Sequence, residues 1–171
     1  PAVMAIDLAV ELGIAIPALS PASMSALHAS LPRGWSRGNP VDLLFDATPE
    51  RYASALKTCL DDSSVDAVLV IFAPSTLVDP GAVAQAVQEV ARGTNKPVLT
   101  CWMGEMQVRD ARSALAAANI PTFRSPENAV EAFHYMVAYF RSQQILLEAP
   151  GSFSDENEPD IENARLIIEA A

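Results

Sequence analysis

Two cysteines in 171 residues, Cys59 and Cys101, are too few and too ordinarily placed for a disulfide framework, so a reducing compartment is expected. Aromatic residues are scarce, 6% against a hydrophobic content of 50%, and an aliphatic, alanine-rich chain of this length points to the layers of an α/β domain. Basic residues are outnumbered, 11 Lys and Arg to 21 Asp and Glu, and a net charge of −10 argues against a nucleic-acid partner, which needs a basic track. It leaves room for a phosphorylated ligand, because backbone amides hold phosphate without lysine. No apolar run approaches the roughly 20 residues of a membrane span, and no secretory signal is visible. No membrane contact and a cytoplasmic location are therefore expected. The glycine motifs of dinucleotide sites and P-loops are missing too.

What is present is organised around Val65–Pro74. From Ala67 to Ala73 this stretch is continuously apolar and rich in β-branched residues, the composition of a parallel strand covered on both faces. Asp79-Pro80 then opens a helix to about Arg92. The same signal of a capping side chain before a first-turn proline recurs at Ser20-Pro21, Thr48-Pro49 and Ser125-Pro126. These predict helices from Pro21, from Pro49 to about Leu60 with Tyr52, Leu56 and Leu60 inward, and from Pro126 to about Leu147 with Phe133, Met136, Val137 and Phe140 inward. A further helix is expected over Met106–Ala118.

Additional strands are expected at Ile14–Leu19, near an edge because of Pro17, and at Val41–Phe45, Val98–Trp102 and Thr122–Arg124. Pro1–Glu11 reads as a helix apolar enough to be mostly buried, ended by Gly13. Residues 151–160 turn acidic and polar, as a linker does, and Ile161–Ala171 is a helix with Ile161, Ala164, Ile168 and Ala171 on one face.

Alternating elements of this kind imply a doubly wound parallel sheet, flavodoxin-like in class. Such a sheet normally opens on a strand, whereas this chain opens on a helix; the expectation is that a strand lies upstream of Pro1 in a longer protein. Ligands of open parallel sheets bind beyond the carboxyl ends of the strands. Three loops qualify: Asp46-Ala47-Thr48-Pro49, Pro74-Ser75-Thr76-Leu77 and Trp102-Met103-Gly104-Glu105. The start of the first helix, Pro1 and Ala2, belongs on the same rim, where free amides favour an anion.

Each candidate also has a plainer role. Asp46 and Asp79 suit helix capping, and Asn39-Pro40 suits a turn. Trp102, at a strand's carboxyl end, is expected to meet solvent at the crevice, either as rim packing or as a ligand contact. Cys101 has no histidine beside it to activate it, and His28 and His134 lack metal-ligand spacing. No catalytic residue and no metal ligand is assigned.

Gly38-Asn39-Pro40-Val41-Asp42-Leu43, followed by Asp46-Ala47-Thr48-Pro49-Glu50-Arg51-Tyr52, resembles the third flavodoxin-like domain of NDP-forming acyl-CoA synthetases. That domain is similar to the carboxyl domain of the succinyl-CoA synthetase β subunit. Pro1–Asp7 resembles the helix after the family's glycine-rich turn, with Pro1 as the last residue of an N-x-G-G-P pattern. Asp66–Ile71, Ile120–Glu127 and the helix through Glu148-Ala149-Pro150 continue the likeness, which covers residues 1–150. Residues 161–171 resemble the approach to an ATP-grasp domain. Cys101-Trp102-Met103-Gly104-Glu105 is similar to the subgroup fused to a GNAT domain, the bacterial protein lysine acetyltransferases.

The resemblance implies a whole protein in which acyl-CoA, NDP and phosphate exchange with acid, CoA and NTP through an acyl phosphate and a phosphohistidine. CoA and ATP or ADP with Mg are implied for that protein, with no cofactor in this domain. The implied partners are a CoA-binding domain, an ATP-grasp domain, in some relatives a GNAT domain, and acyl-CoA or phosphate. The phosphohistidine belongs to the preceding domain, and neither His28 nor His134 matches it. This chain would supply Pro1, Ala2, Asn39, Asp42, Asp46, Thr48, Ser75, Trp102, Gly104 and Glu105 around the phosphate, and no catalysis alone. The alternative implied by the acetyltransferase fusions is an inactive, acyl-CoA-sensing regulatory domain. A free-standing flavodoxin or response regulator is disfavoured by the lack of an FMN phosphate loop and of an acidic cluster at a strand end.

Overall fold

The four expected cap-and-proline pairs all start helices. In a computed structural model that describes residues 1–148 and 161–170, Ser20, Thr48 and Asp79 accept backbone N–H bonds at the heads of α2 (Pro21–Ser30), α3 (Pro49–Asp61) and α4 (Pro80–Ala91). Ser125 does the same for α6 (Pro126–Leu147), taking the Asn128 N–H at 3.2 Å. α1 (Ala2–Glu11) has no side-chain cap. It ends as expected at Gly13, whose φ of +71° lets the Gly13 and Ile14 amides turn back onto Val10 and Ala9.

Three parallel strands follow in the order β1 (Val68–Phe72), β2 (Val98–Trp102), β3 (Thr122–Phe123), with Val70 opposite Thr100 and Thr100 opposite Thr122. Every residue of β2 is buried, as a strand covered on both faces must be. Between β2 and β3 the expected single helix is divided into a 3-10 turn, Met106–Val108, and α5 (Arg109–Ala117).

Alternate strand residues feed opposite layers. Val70, Phe72, Val98 and Trp102 pack with Leu56 and Leu60 of α3, Val83 and Val87 of α4, and Ala111 and Leu115 of α5. Leu69 and Ile71 face the other way, toward Ala5 and Ala9 of α1 and Val130 of α6. This is the doubly wound α/β, flavodoxin-like arrangement expected. A smaller cluster of Leu19, Leu27, Leu31, Trp35, Ala55 and Val65 joins α2 to α3.

Two expected strands do not form. Ile14–Leu19 and Val41–Phe45 have no ladder partner among the described residues. In the second, Asp42 Oδ1 accepts the Leu44 N–H at 2.8 Å, Leu44 sits at a φ of 66°, and the Leu43 carbonyl is taken by Arg51. The groups a ladder needs are used locally. In the first, the Pro17 carbonyl accepts from Asn39 Nδ2, and proline has no N–H to offer.

Helix burial also differs from expectation. Only Ala5 and Ala9 of α1 are buried, while Val3, Met4 and Val10 are exposed, because one stripe alone meets the sheet. On α6 the buried residues are Pro126, Ala129 and Val130; Phe133 and Val137 are half-buried, and Met136 and Phe140 are exposed.

The chain divides into two compact units, Pro1–Ala138 and Tyr139–Ala171. The second holds the end of α6 and α7 (Ile161–Glu169), on which Ile161 and Ile168 are exposed. The expected linker at 151–160 and residue Ala171 lie outside the described residues. No described helix is long and apolar enough to cross a membrane.

Candidate functional site

The carboxyl ends of the strands are drawn together by backbone bonds. The Met103 N–H donates to the Phe72 carbonyl at 2.9 Å, carrying the β1–β2 pairing into the loops. Ser75 Oγ donates to the Phe45 carbonyl at 3.4 Å, which brings the loop after β1 beside the one that leads into α3. Gly104 has a φ of +97°, and a Cβ there would lie 3.3 Å from Pro74 Cγ. Glycine thus serves both the left-handed turn and the close approach of the β1 and β2 loops.

Arg112 of α5 then locks the β2 loop. Its Nη1 donates to the Trp102 carbonyl at 3.1 Å and the Gly104 carbonyl at 2.7 Å, and Nη2 to the Glu105 carbonyl at 3.4 Å. The Glu105 carboxylate lies 3.7 Å from Arg112 Nη2 and 3.3 Å from Nη1 of Arg124, the residue just past β3. Asp46, Ser75, Gly104 and Glu105 are thereby gathered along one rim.

Cys101 shows what else stands near that rim. Burial first, and then the charge of Glu127, push its thiol up to about 11, while Arg112 pulls the other way. Glu127 lies in the first turn of α6, so the start of α6 acts on the end of β2. Cys101 is fully enclosed, and a raised, buried thiol is a poor nucleophile.

Several candidates already have partners. Asp46 pairs with Arg51 at 2.8 Å, and that hydrogen bond holds its carboxyl below the usual range. Thr48 accepts the Arg51 N–H at 3.3 Å, and its hydroxyl lowers the Glu50 carboxyl. Asn39 precedes a cis peptide and is tied to Pro17; Asp42 is tied to Leu44. Both therefore serve the connection between α2 and α3. Trp102 does not meet solvent: it is 0% exposed, stacks on Phe72 at 5.4 Å between centroids, and donates Nε1 to the Pro80 carbonyl at 3.3 Å. As the last residue of the central strand, it is roofed by the first turn of α4.

Sequence reasoning passed over Arg112 and Arg124. The signal for Arg124 was its position, one residue beyond a strand on the ligand side of the sheet. Arg112 had none, since only the fold turns it back on the β2 loop. Among the described residues no three of His, Cys, Asp and Glu gather to hold a cation.

A family model of the Ligase-CoA domain matches residues 1–146. The chain belongs to the Ligase-CoA domain family. Acetate–CoA ligase [ADP-forming] I of Archaeoglobus fulgidus is 31% identical over 139 residues, 81% of this chain and 19% of the relative. Acetate–CoA ligase [ADP-forming] of Methanocaldococcus jannaschii is 33% identical over 141 residues, 80% of this chain and 20% of the relative. Among solved structures, dinucleotide forming acetyl-coenzyme A synthetase 1 of Ca. Korarchaeum cryptofilum, in complex with phosphate and ADP, superposes with a TM-score of 0.78. It is 25% identical, and the match covers 87% of this chain and 33% of that one. The Ligase-CoA chain thus spans about a fifth to a third of these relatives. They bear out the resemblance to NDP-forming acyl-CoA synthetases; the finer likeness to the acetyltransferase fusions gains nothing from them.

Proposed function

We propose that this chain is one domain of an ADP-forming acyl-CoA ligase and lends its strand-end rim to the phosphate that passes through the reaction. The whole protein would convert an acyl-CoA, ADP and phosphate to the acid, CoA and ATP, and the reverse, with acetate as the first substrate to try. CoA and ATP or ADP would sit largely on other domains of a cytoplasmic enzyme. Mg would enter with the nucleotide. Asp46, Thr48, Ser75, Gly104 and Glu105 would shape the rim, with Asn39, Asp42 and Trp102 supporting it from behind. Pro1 and Ala2 would present the uncapped head of α1 to the phosphate.

The observation that carries this reading is the uncapped head of α1, a helix whose Ala5 and Ala9 pack with Leu69 and Ile71 of β1. An uncapped helix start leaves backbone N–H groups free, and with the helix dipole they favour a dianion without any lysine.

The test uses the full-length ligase, followed by ATP formation from acetyl-CoA, ADP and phosphate. Ala2→Glu adds negative charge at the head of α1, where it supports the helix itself. Activity should fall about tenfold or more, since the added charge opposes transition-state electrostatics at the phosphate, while thermal stability holds or rises. Unchanged activity would remove α1 from the phosphate path. A wild-type protein that forms no ATP from any acyl-CoA tried would remove the ligase reading itself.

A further inference from the structure

We propose that Arg112 and Arg124 form a two-arginine phosphate site at the carboxyl ends of β2 and β3, and that the Glu105 carboxylate is its built-in competitor. The proposal rests on the rim reading above and assigns residues within it.

The two guanidinium groups come from different elements and meet on one carboxylate, at 3.7 and 3.3 Å. Those are long separations for charge-assisted bonds, which settle nearer 2.7–2.9 Å. The two arginines differ in a useful way. Arg112 is only 12% exposed, and the Trp102 and Gly104 carbonyls fix its fork. It is a prepositioned half-site, with Nη2 on the Glu105 carbonyl at 3.4 Å and facing the Glu105 carboxylate at 3.7 Å. Arg124 is 72% exposed and Glu105 69% exposed, so both can move without disturbing the core.

An exposed ion pair of this kind is weakly held. A phosphate dianion carries twice the charge and three or more acceptor oxygens, so it can take one edge of each arginine where Glu105 offers a single carboxylate. On binding, the Arg112–Glu105 and Arg124–Glu105 contacts break, two arginine–phosphate contacts form, and the Glu105 side chain turns out to water. Glu105 then does two things. It keeps the arginines apart from stray monoanions, which gain too little to displace it, and it lowers the affinity for phosphate enough for release.

The experiment is calorimetric titration of the whole 171-residue chain with inorganic phosphate at neutral pH and low salt, with acetate as the monoanion control. Glu105→Gln should tighten phosphate binding severalfold, and Arg124→Gln should weaken it about tenfold, as loss of one charge-assisted partner does. Neither substitution touches the core, and circular dichroism confirms the fold of each variant. Phosphate binding that ignores both substitutions would overturn the arginine site while leaving the rim reading intact. Acetate binding with the same dependence on Glu105 and Arg124 would overturn the proposal by reducing the pair to a general cationic patch. No phosphate bound by wild type or by Glu105→Gln would overturn both readings.

Discussion

Removing the Arg112 side chain is the sharpest stability test of the rim. In Arg112→Ala the Trp102 carbonyl, beside a fully buried side chain, loses its donor, and an unsatisfied group of this kind costs about 1–3 kcal/mol. The Gly104 and Glu105 carbonyls are nearer water and recover much of their bonding there. Loss of the mostly covered side-chain stem adds roughly 1 kcal/mol of packing. The ion pair to Glu105 contributes less, about 0–1 kcal/mol, because its partner is exposed. The sum is about 2–5 kcal/mol. With a urea m-value of roughly 2 kcal/mol/M, the midpoint should fall by about 1–2.5 M at unchanged m, read by circular dichroism. Arg112→Lys keeps the charge but cannot span the Trp102 and Gly104 carbonyls with one ammonium, so it should recover less than half of the loss. A loss below about 1 kcal/mol for alanine, or wild-type behaviour for lysine, would mean that the Met103–Phe72 bond and the Gly104–Pro74 contact hold the loop unaided, and would refute the locking role.

Leu115→Ala opens a void at a fully buried position between α5 and the sheet and should cost about 3–5 kcal/mol in urea unfolding. A cost near 1 kcal/mol would show that α5 collapses onto the gap. Asp62 is held well below the usual carboxylate range by hydrogen bonds from Ser23, Ser64 and Ser20. The unfolded chain therefore takes up its proton first: the stabilisation is present above about pH 4 and is lost as pH falls through the folded value. Asp62→Asn should be less stable than wild type at neutral pH, with the gap closing in acid; a gap of constant size would show that the carboxylate's charge is not what matters. Cys101, with its thiol pushed up to about 11 and no exposed surface, should resist iodoacetamide until the chain unfolds, and rapid native-state labelling would contradict its enclosure.

How far the fold could be read in advance depended on whether the deciding interaction was local. A capping oxygen and a first-turn proline act within four residues, so α2, α3, α4 and α6 were legible from their first letters. The buried strands were legible too, because a strand covered on both faces leaves an unbroken apolar run. Val41–Phe45 is apolar apart from Asp42 and still forms no strand, since Asp42 and Arg51 reach its backbone first, and Arg51 does so from the following helix. The error over Trp102 has the same origin: nothing near it in sequence says that Pro80 will close over it. For the site, the loops were legible from topology alone. The arginines that join them were not, because Arg112 and Arg124 acquire their meaning only once β2, β3 and α5 are assembled.

The two ends of the sheet are built on opposite principles, and that contrast favours the carboxyl end as the working surface. At the amino end Asp62 is almost wholly buried. Its carboxylate accepts from the Ser20 and Ser64 amides and the Ser64 hydroxyl, and its own carbonyl accepts from Lys96 Nζ at 2.6 Å. Three segments are fastened there through partly buried bonds, the kind that are costly to break. At the carboxyl end the buried Trp102 and the half-buried Arg112 donate to backbone, whereas the charged groups that look outward are exposed and loosely paired. A rigid base beneath an exchangeable rim is what a reversible anion site needs: the backbone must hold its position while side-chain partners trade. Stiffening that rim should therefore stabilise the chain and slow the exchange together. Replacing the Glu105–Arg124 pair by a packed apolar pair would raise the urea midpoint and weaken phosphate binding, and a variant that gained stability and bound phosphate as wild type does would break the link between the two.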